Sequence, residues 1–364
     1  MINDLDALVK YDPRFLSNIF LKKIDLRNKS LDNLYDNYFS DHLIKHTNSG
    51  ILCDIQLTRN NELFYYVEKN ADYFKEIKEL FPVFYKSLLP FYFCWDENSL
   101  LCLNDSWSSL GWIDIIHKKK LQDTEEIALI HFDSHQDMAN PLIGINRHTG
   151  EYFDLLRGAP ISKEKLFDFF VAIAIGSIGI SNYISILPMF FKKVNVFYIN
   201  QFKGCFKKYR YKVDFIEDSV FSARYPNILR MKNIYGDLER GTDYPHTRFE
   251  SRSIEEVIEH IPSNANILLH FDMDYFNNFL DGSAEKYRKT ENLRSTEEQS
   301  NQIKTVSDIL GSISKNIIHT SIGLSPGFFP SKYWGSSTKN LVSALNNQGI
   351  SVSPKKTFPN FDII

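Results

Sequence analysis

Residues 126–138 read EIALIHFDSHQDM, and residues 266–276 read NILLHFDMDYF. Each begins as a continuous apolar run and ends in acidic residues. A strand with one wet face alternates apolar and polar residues. An unbroken apolar run therefore predicts a strand covered on both faces, as in parallel sheets flanked by helices. The rest of the chain agrees. FYFCW (91–95), VNVFYI (194–199) and NIIHTSIG (316–323) are further short apolar runs. Helices are expected between them over 98–110, over 163–180, from Ser253, from Ser295 to about Leu310, and over 337–346, before a final short strand ISVSP. Ser253 with Glu256, and Ser295 with Glu298, have capping-box spacing. The expectation is an α/β fold, a three-layer α/β/α arrangement with a mostly parallel sheet.

Residues 1–89 follow a different pattern. Short polar helices are expected over 1–50, a hairpin over 51–67 around Thr58-Arg59-Asn60-Asn61, and an amphipathic helix over 68–89 broken near Pro82. The chain thus divides into an N-terminal extension (1–89) and a larger domain (90–364) that carries both acidic-ended apolar runs.

Composition narrows the class. With 364 residues, 43% hydrophobic, 14% aromatic and a net charge of −3, the chain is neither disordered nor a dedicated nucleic-acid binder. Its four cysteines form no CxxC pair, which argues against a zinc knuckle and for a reducing compartment. No apolar leader opens the sequence, and a cytoplasmic location is expected. The uncharged run 169–191 has the length of a membrane span. Ser177, Ser181, Asn182, Ser185 and Pro188 interrupt it, so a buried core helix followed by a turn is expected, with no membrane partner.

On extended chain Asp133, His135 and Asp137 fall at alternate positions and face one side, as do Asp272 and Asp274. Both sets follow the C-terminal ends of strands, where open α/β sheets bind ligands. A single Asp there is ordinarily a helix N-cap. Two clusters of this spacing are better explained by a metal centre. Four carboxylates and one imidazole are mostly hard ligands, suited to Mn²⁺. Their charge matches two divalent cations, which together activate a shared water. His131 and His270, each in a His-Phe-Asp string, are expected to be satisfied core histidines.

HFDSHQDM and HFDMDYF, with SPGFFP (325–330) after the late strand, resemble the motifs of the arginase/ureohydrolase superfamily. Within it they look most like the peptide arginases, which convert arginine side chains of ribosomally made peptides to ornithine. The resemblance spans about residues 90–330. It implies an arginase-like fold and two Mn²⁺ per chain, bridged by Asp133 and Asp272. Asp137 would bind one ion and hydrogen-bond the nucleophile, while His135 and Asp274 bind the other. The implied reaction is attack of a metal-bridging hydroxide on the guanidinium carbon, releasing urea. Arginases take one more ligand, a His, from the loop after an earlier strand. The loop after FYFCW is Asp96-Glu97-Asn98, so Glu97 is the candidate, with Asp96 behind it. Arginases of free arginine also hold the guanidinium with a Glu beyond the last catalytic strand. Ile309 to Phe361 contains no Asp or Glu, so Glu151, Asp154, Asp243 and Glu250 are the candidate substrate-binding residues. His148 lies where arginases keep a proton-shuttling His and is the candidate general acid.

The expected partner is an arginine-containing peptide. Lys203, Lys207, Lys208, Arg210 and Lys212, interleaved with Phe206, Tyr209 and Tyr211, read as a solvated loop face that could dock an acidic leader. The N-terminal hairpin offers a second dock through strand addition. A homo-oligomer is compatible with the sequence. The rival readings are a hydrolase of free guanidino compounds, a zinc deacetylase on the same fold, and a non-catalytic peptide-binding protein. A metallophosphoesterase is a further rival, but it needs a Gly-Asn-His block after Gly236-Asp237, and none follows.

Overall fold

The structure, a computed structural model, describes residues 42–47, 50–55, 76, 80, 93–121, 126–201, 206–222, 224–236, 244–278, 280–281, 288–289 and 293–353. Strands β1 (His42–Thr47) and β2 (Gly50–Ile55) form a separate antiparallel hairpin. Twelve of the described strands then build one sheet. In chain order they begin with β3 (Phe93–Trp95), β4 (Ser99–Cys102), β5 (Glu126–Phe132), β6 (Ile143–Asn146), β7 (Tyr152–Asp154) and β8 (Ala159–Ile161). They continue with β9 (Lys193–Ile199), β10 (Lys207–Ile216), β11 (Ile228–Gly236), β12 (His246–Ser251) and β13 (Ile267–Asp272). The short pair β14 (Leu280–Asp281) and β15 (Arg288–Lys289) stands apart, and β16 (Ile317–Gly323) completes the sheet. The helices are α1 (Ser108–Lys118), α2 (Leu166–Ala174), α3 (Glu255–Ile258), α4 (Thr296–Leu310) and α5 (Trp334–Asn347).

The centre of the sheet is parallel, in the order β4-β16-β13-β5-β9-β12. Its strands bury both faces, which is why their sequences are continuously apolar. Ile127, Leu129, Val194, Val196 and Leu268 pack on one side with α1, α2 and the 3₁₀ segment Tyr183–Met189. Ala128, Ile130, Phe197, Leu269 and Phe271 pack on the other with α3, α4 and α5. Each large apolar side chain buried this way contributes roughly 1.5–3 kcal/mol. The three-layer α/β/α expectation holds for this core.

The sheet continues past β12 as an antiparallel wing, β10-β11-β6-β7-β8. The basic segment expected as a loop face is β10. Its Tyr211 is buried, while Lys208 lies over the Phe249 ring. At the other edge, the helix expected over 98–110 is instead β4 followed by α1. Ser99–Cys102 is fully buried and pairs with β16, and that apolar tetrad has room for a strand but not a helix.

The two capping boxes part company. Ser295 and Glu298 form theirs at the start of α4. Ser253 caps nothing, and Glu256 takes a hydrogen bond from Ser251 Oγ instead. The uncharged run splits into α2, a turn and the 3₁₀ segment, all in the core, as expected. No helix among the described residues is long and apolar enough to cross a membrane. Residues 350–353 form no strand; Ile350 and Val352 are buried and Asn346 bonds both polar backbone groups of Val352.

In the N-terminal extension, residues 42–47 are a strand rather than helix, and 51–55 pair backward with them. Thr47 pairs with Gly50 at the closed end of the ladder. The expected partner strand and turn (56–67) lie outside the described residues, as do 1–41. Of the expected helix 68–89, Glu76 and Leu80 are described and helical. Glu76 accepts from Gly335 N in α5 at 3.1 Å, and Leu80 packs on the core.

Candidate metal centre

Strands β5 and β13 are neighbours in register: His131 pairs with His270, and Phe132 with Phe271. Odd residues of β5 and even residues of β13 share the α1/α2 face. His131, Asp133, His270 and Asp272 therefore emerge side by side at the C-terminal ends of the two strands. Asp133, Asp272 and Asp274 are buried. His135 is about one-third exposed and opens the cluster to solvent.

Two groups of ligand atoms converge, and they share Asp133. His135 Nδ1 lies 3.1 Å from Asp274 Oδ2 and 3.5 Å from Asp133 Oδ1. His131, Asp133 and Asp137 form the second group, with ligand atoms within 4.8 Å of one another. Backbone hydrogen bonds fix the carboxylates: His135 N donates to Asp133 Oδ1 (2.6 Å), Ser134 N to Asp274 Oδ1 (3.0 Å) and Asp274 N to Asp272 Oδ1 (2.9 Å). Asp137 sits at φ +48°, a left-handed conformation that Asp tolerates better than most residues.

The centre's donors fit divalent cations. Asp133 Oδ2, Asp274 Oδ2 and His131 Nε2 are buried without a hydrogen-bond partner. Native interiors rarely leave such atoms unpaired. A cluster of oxygens with imidazole nitrogens is what a borderline-hard cation takes.

No family model matches this chain, and no curated protein does. A solved structure that resembles it is the arginase of Helicobacter pylori, at 13% identity, covering 81% of this chain and 84% of that one with a TM-score of 0.31. The likeness is remote, and the site is argued from its own geometry.

The remaining expected residues separate. Asp272 is buried beside the cluster, but its oxygens accept from Asp274 N and from Ser325 Oγ (3.0 Å). Glu97 does not join it. It is exposed in the turn between β3 and β4, at the N-terminal end of β4, because the strand that leads toward the site is β4 and not FYFCW. Asp96 shares that turn. His148 and Glu151 are exposed on the β6–β7 hairpin, five strand positions from β5. Asp154 is buried as a turn residue, accepting from Ser177 Oγ, Leu156 N and Arg157 N. Glu250 already holds a guanidinium, that of Arg248 at 2.9 Å, and accepts from Gln136 Nε2 at 3.0 Å. Asp243 lies outside the described residues.

Sequence reasoning missed Asp105. It follows β4 in the 3₁₀ turn Asp105–Trp107, is buried, and its carboxyl faces that of Asp272. Gly323 at the end of β16 makes room for it: a β-carbon there would lie 1.4 Å from Asp105 Oδ1. The SPGFFP motif also finds a place. Ser325 bonds Asp272, and the Phe328 ring meets His135 edge-on at 4.9 Å.

Burial, reinforced by neighbouring carboxylates, pushes Asp133, Asp137 and Asp272 above the usual carboxylate range in the metal-free chain. Burial works against protonation of His135, but the carboxylates of Asp133 and Asp274 beside its Nδ1 win and raise it. Burial pushes His131 down to about 4. Groups raised in the folded state lose their stabilising contribution as pH rises through their folded values. The lowered histidines, including His246 at about 4 and His319 at about 3, act in the opposite sense, but only below their ordinary value of 6.5. Above pH 6.5 all these shifts act in one direction. The Tm of the metal-free protein is expected to fall from pH 6.5 to about pH 8.5, and added Mn²⁺ to recover more at the upper end. A metal-free Tm that stays level across that window contradicts this account.

Proposed function

We propose that the chain is a two-metal hydrolase that takes arginine side chains of a peptide to ornithine and urea, with Mn²⁺ as its cations. The observation that carries the reading is the sharing of Asp133 between two groups of ligand atoms at the ends of adjacent parallel strands. A single-metal deacetylase needs only one such group. His135, Asp133 and Asp274 would hold one ion; Asp133 and Asp137 would contribute to the other, with Asp272 alongside. When bound, the pair of cations supplies a water activated near neutral pH.

The chain's own residues do the rest. The buried carboxylates make the site favourable to a cationic guanidinium. Asp137, held by its left-handed backbone, orients the incoming water. Phe328 packs edge-on against His135 where the cluster meets solvent. Water adds across the carbon–nitrogen bond: its oxygen stays with urea, and the departing nitrogen gains a proton to become the ornithine amine. The sequence resemblance supports a peptide substrate over free arginine, as does the absence of acidic residues from Ile309 to Phe361, where arginases of free arginine place the Glu that holds the guanidinium.

The test incubates Mn²⁺-loaded protein with an arginine-containing peptide and with free arginine. Urea and the mass decrease of arginine to ornithine are measured. Peptide turnover well above that of free arginine is expected. The absence of urea from both substrates rejects the hydrolase; faster turnover of free arginine rejects the peptide preference.

A further inference from the structure

We propose that His131 is the nitrogen ligand of the second cation and that His270 positions it. The inference rests on the two-metal reading. Its first ground is a distance without a bond. His131 Nε2 and Asp133 Oδ2 lie 3.0 Å apart, yet neither has a hydrogen-bond partner, and both side chains are completely buried. Two ligand atoms at right angles around an ion with bonds of about 2.1 Å stand about 3 Å apart. The pair is thus spaced as adjacent corners of one coordination sphere and misaligned for a hydrogen bond.

The second ground is the other face of the ring. His131 Nδ1 lies 2.9 Å from His270 Nδ1. One proton serves that contact. If His131 donates it, Nε2 carries a free lone pair toward Asp133, and His270 takes the Nε2–H tautomer. This is the usual arrangement of a ligating histidine, whose second ring nitrogen donates to a fixed acceptor. The opposite tautomer would put a proton on His131 Nε2 toward Asp133, where the geometry makes no hydrogen bond. Satisfied core histidines, the expectation from sequence, would not leave Nε2 of both rings unpartnered.

The third ground is rigidity. Tyr198 stacks on His131 at 5.7 Å, and Trp112 meets His270 at a right angle at 5.8 Å. Tyr198, His131, His270 and Ser321 form one row across β9, β5, β13 and β16, a step below Asp133 and Asp272. A ligand in that row cannot swing away.

The experiment uses the full chain loaded with Mn²⁺. Metal per chain is measured by elemental analysis after gel filtration, and coupling between ions by electron paramagnetic resonance. The wild type is expected to hold two ions with an exchange-coupled spectrum. His131→Asn keeps a donor to His270 but lacks Nε2; it is expected to hold one ion, with an isolated Mn²⁺ spectrum and unchanged circular dichroism. His131→Gln, the longer amide, is the second variant if the first fails to fold, with the same expectation. His270→Phe is expected to weaken the second ion by about 10–100-fold while leaving the first, with partial rescue in His270→Gln. Two coupled ions in His131→Asn, or loss of both ions from a folded variant, overturns the assignment and leaves the two-metal reading standing. A wild type that binds no more than one ion overturns both.

Discussion

Asp133→Asn is expected to leave the chain folded and without either cation. Its carboxylate belongs to both groups of ligand atoms, so no other single substitution removes a ligand from each. Asparagine keeps the shape and an oxygen to accept from His135 N, so the turn after β5 survives. What disappears is the negative charge and the second ligating oxygen. Loss of a residue that merely supports a ligand costs about 10–100-fold in affinity or activity. Loss of a shared ligand should exceed that and bring urea release to the uncatalysed rate. Elemental analysis and urea measurement on the same preparation check it. Two retained ions, or turnover within tenfold of wild type, would refute the central role given to Asp133.

Gly323→Ala is the second large effect. The new methyl group would lie 1.4 Å from Asp105 Oδ1, 2.6 Å from its Cγ and 3.3 Å from its Cα. Asp105 is buried against Asp272 and has no open side to retreat to. Overpacking an interior costs typically about 1–3 kcal/mol, and a carboxylate forced out of place also disturbs Asp272. Lower thermal stability and weaker metal retention are both expected. Adding Asp105→Ala should recover most of the stability, because the clash is pairwise and neighbouring substitutions do not add. Equal stability of Gly323→Ala and wild type would show that Asp105 does not sit over β16.

The paired motifs were legible because burial and chemistry coincide in them. EIALIHF and NILLHF are apolar enough to demand cover on both faces, and the acids after them have nowhere else to go. The wing was not legible for the converse reason. KKYRYKVDFI exposes much of its surface, so its cations mask the strand alternation. Its partners β11 and β12 lie farther along the chain, and no local signal announces a pairing of that kind. Glu97 was misplaced because the strand that leads to the site ends at Cys102, seven residues after Trp95. FYFCW is aromatic and conspicuous, whereas Ser-Leu-Leu-Cys is brief and could belong to a helix. Asp105 was lost with it. Gly323 carried the one available sign, a glycine ending a β-branched strand, and it gains meaning only beside Asp105.

The parallel core and the antiparallel wing also differ in how they open. Amide protons exchange with solvent through local or global unfolding, and segments with covered faces and dense contacts exchange last. β5, β9 and β13 lie beneath helices on both sides, while β7 and β8 end the sheet at an edge. The amides around Asp133 should therefore exchange only when the whole molecule unfolds, and those of β7 and β8 should exchange well before. The centre is thus anchored in the part of the molecule that relaxes last, and the wing can move while the ligand atoms keep their spacing.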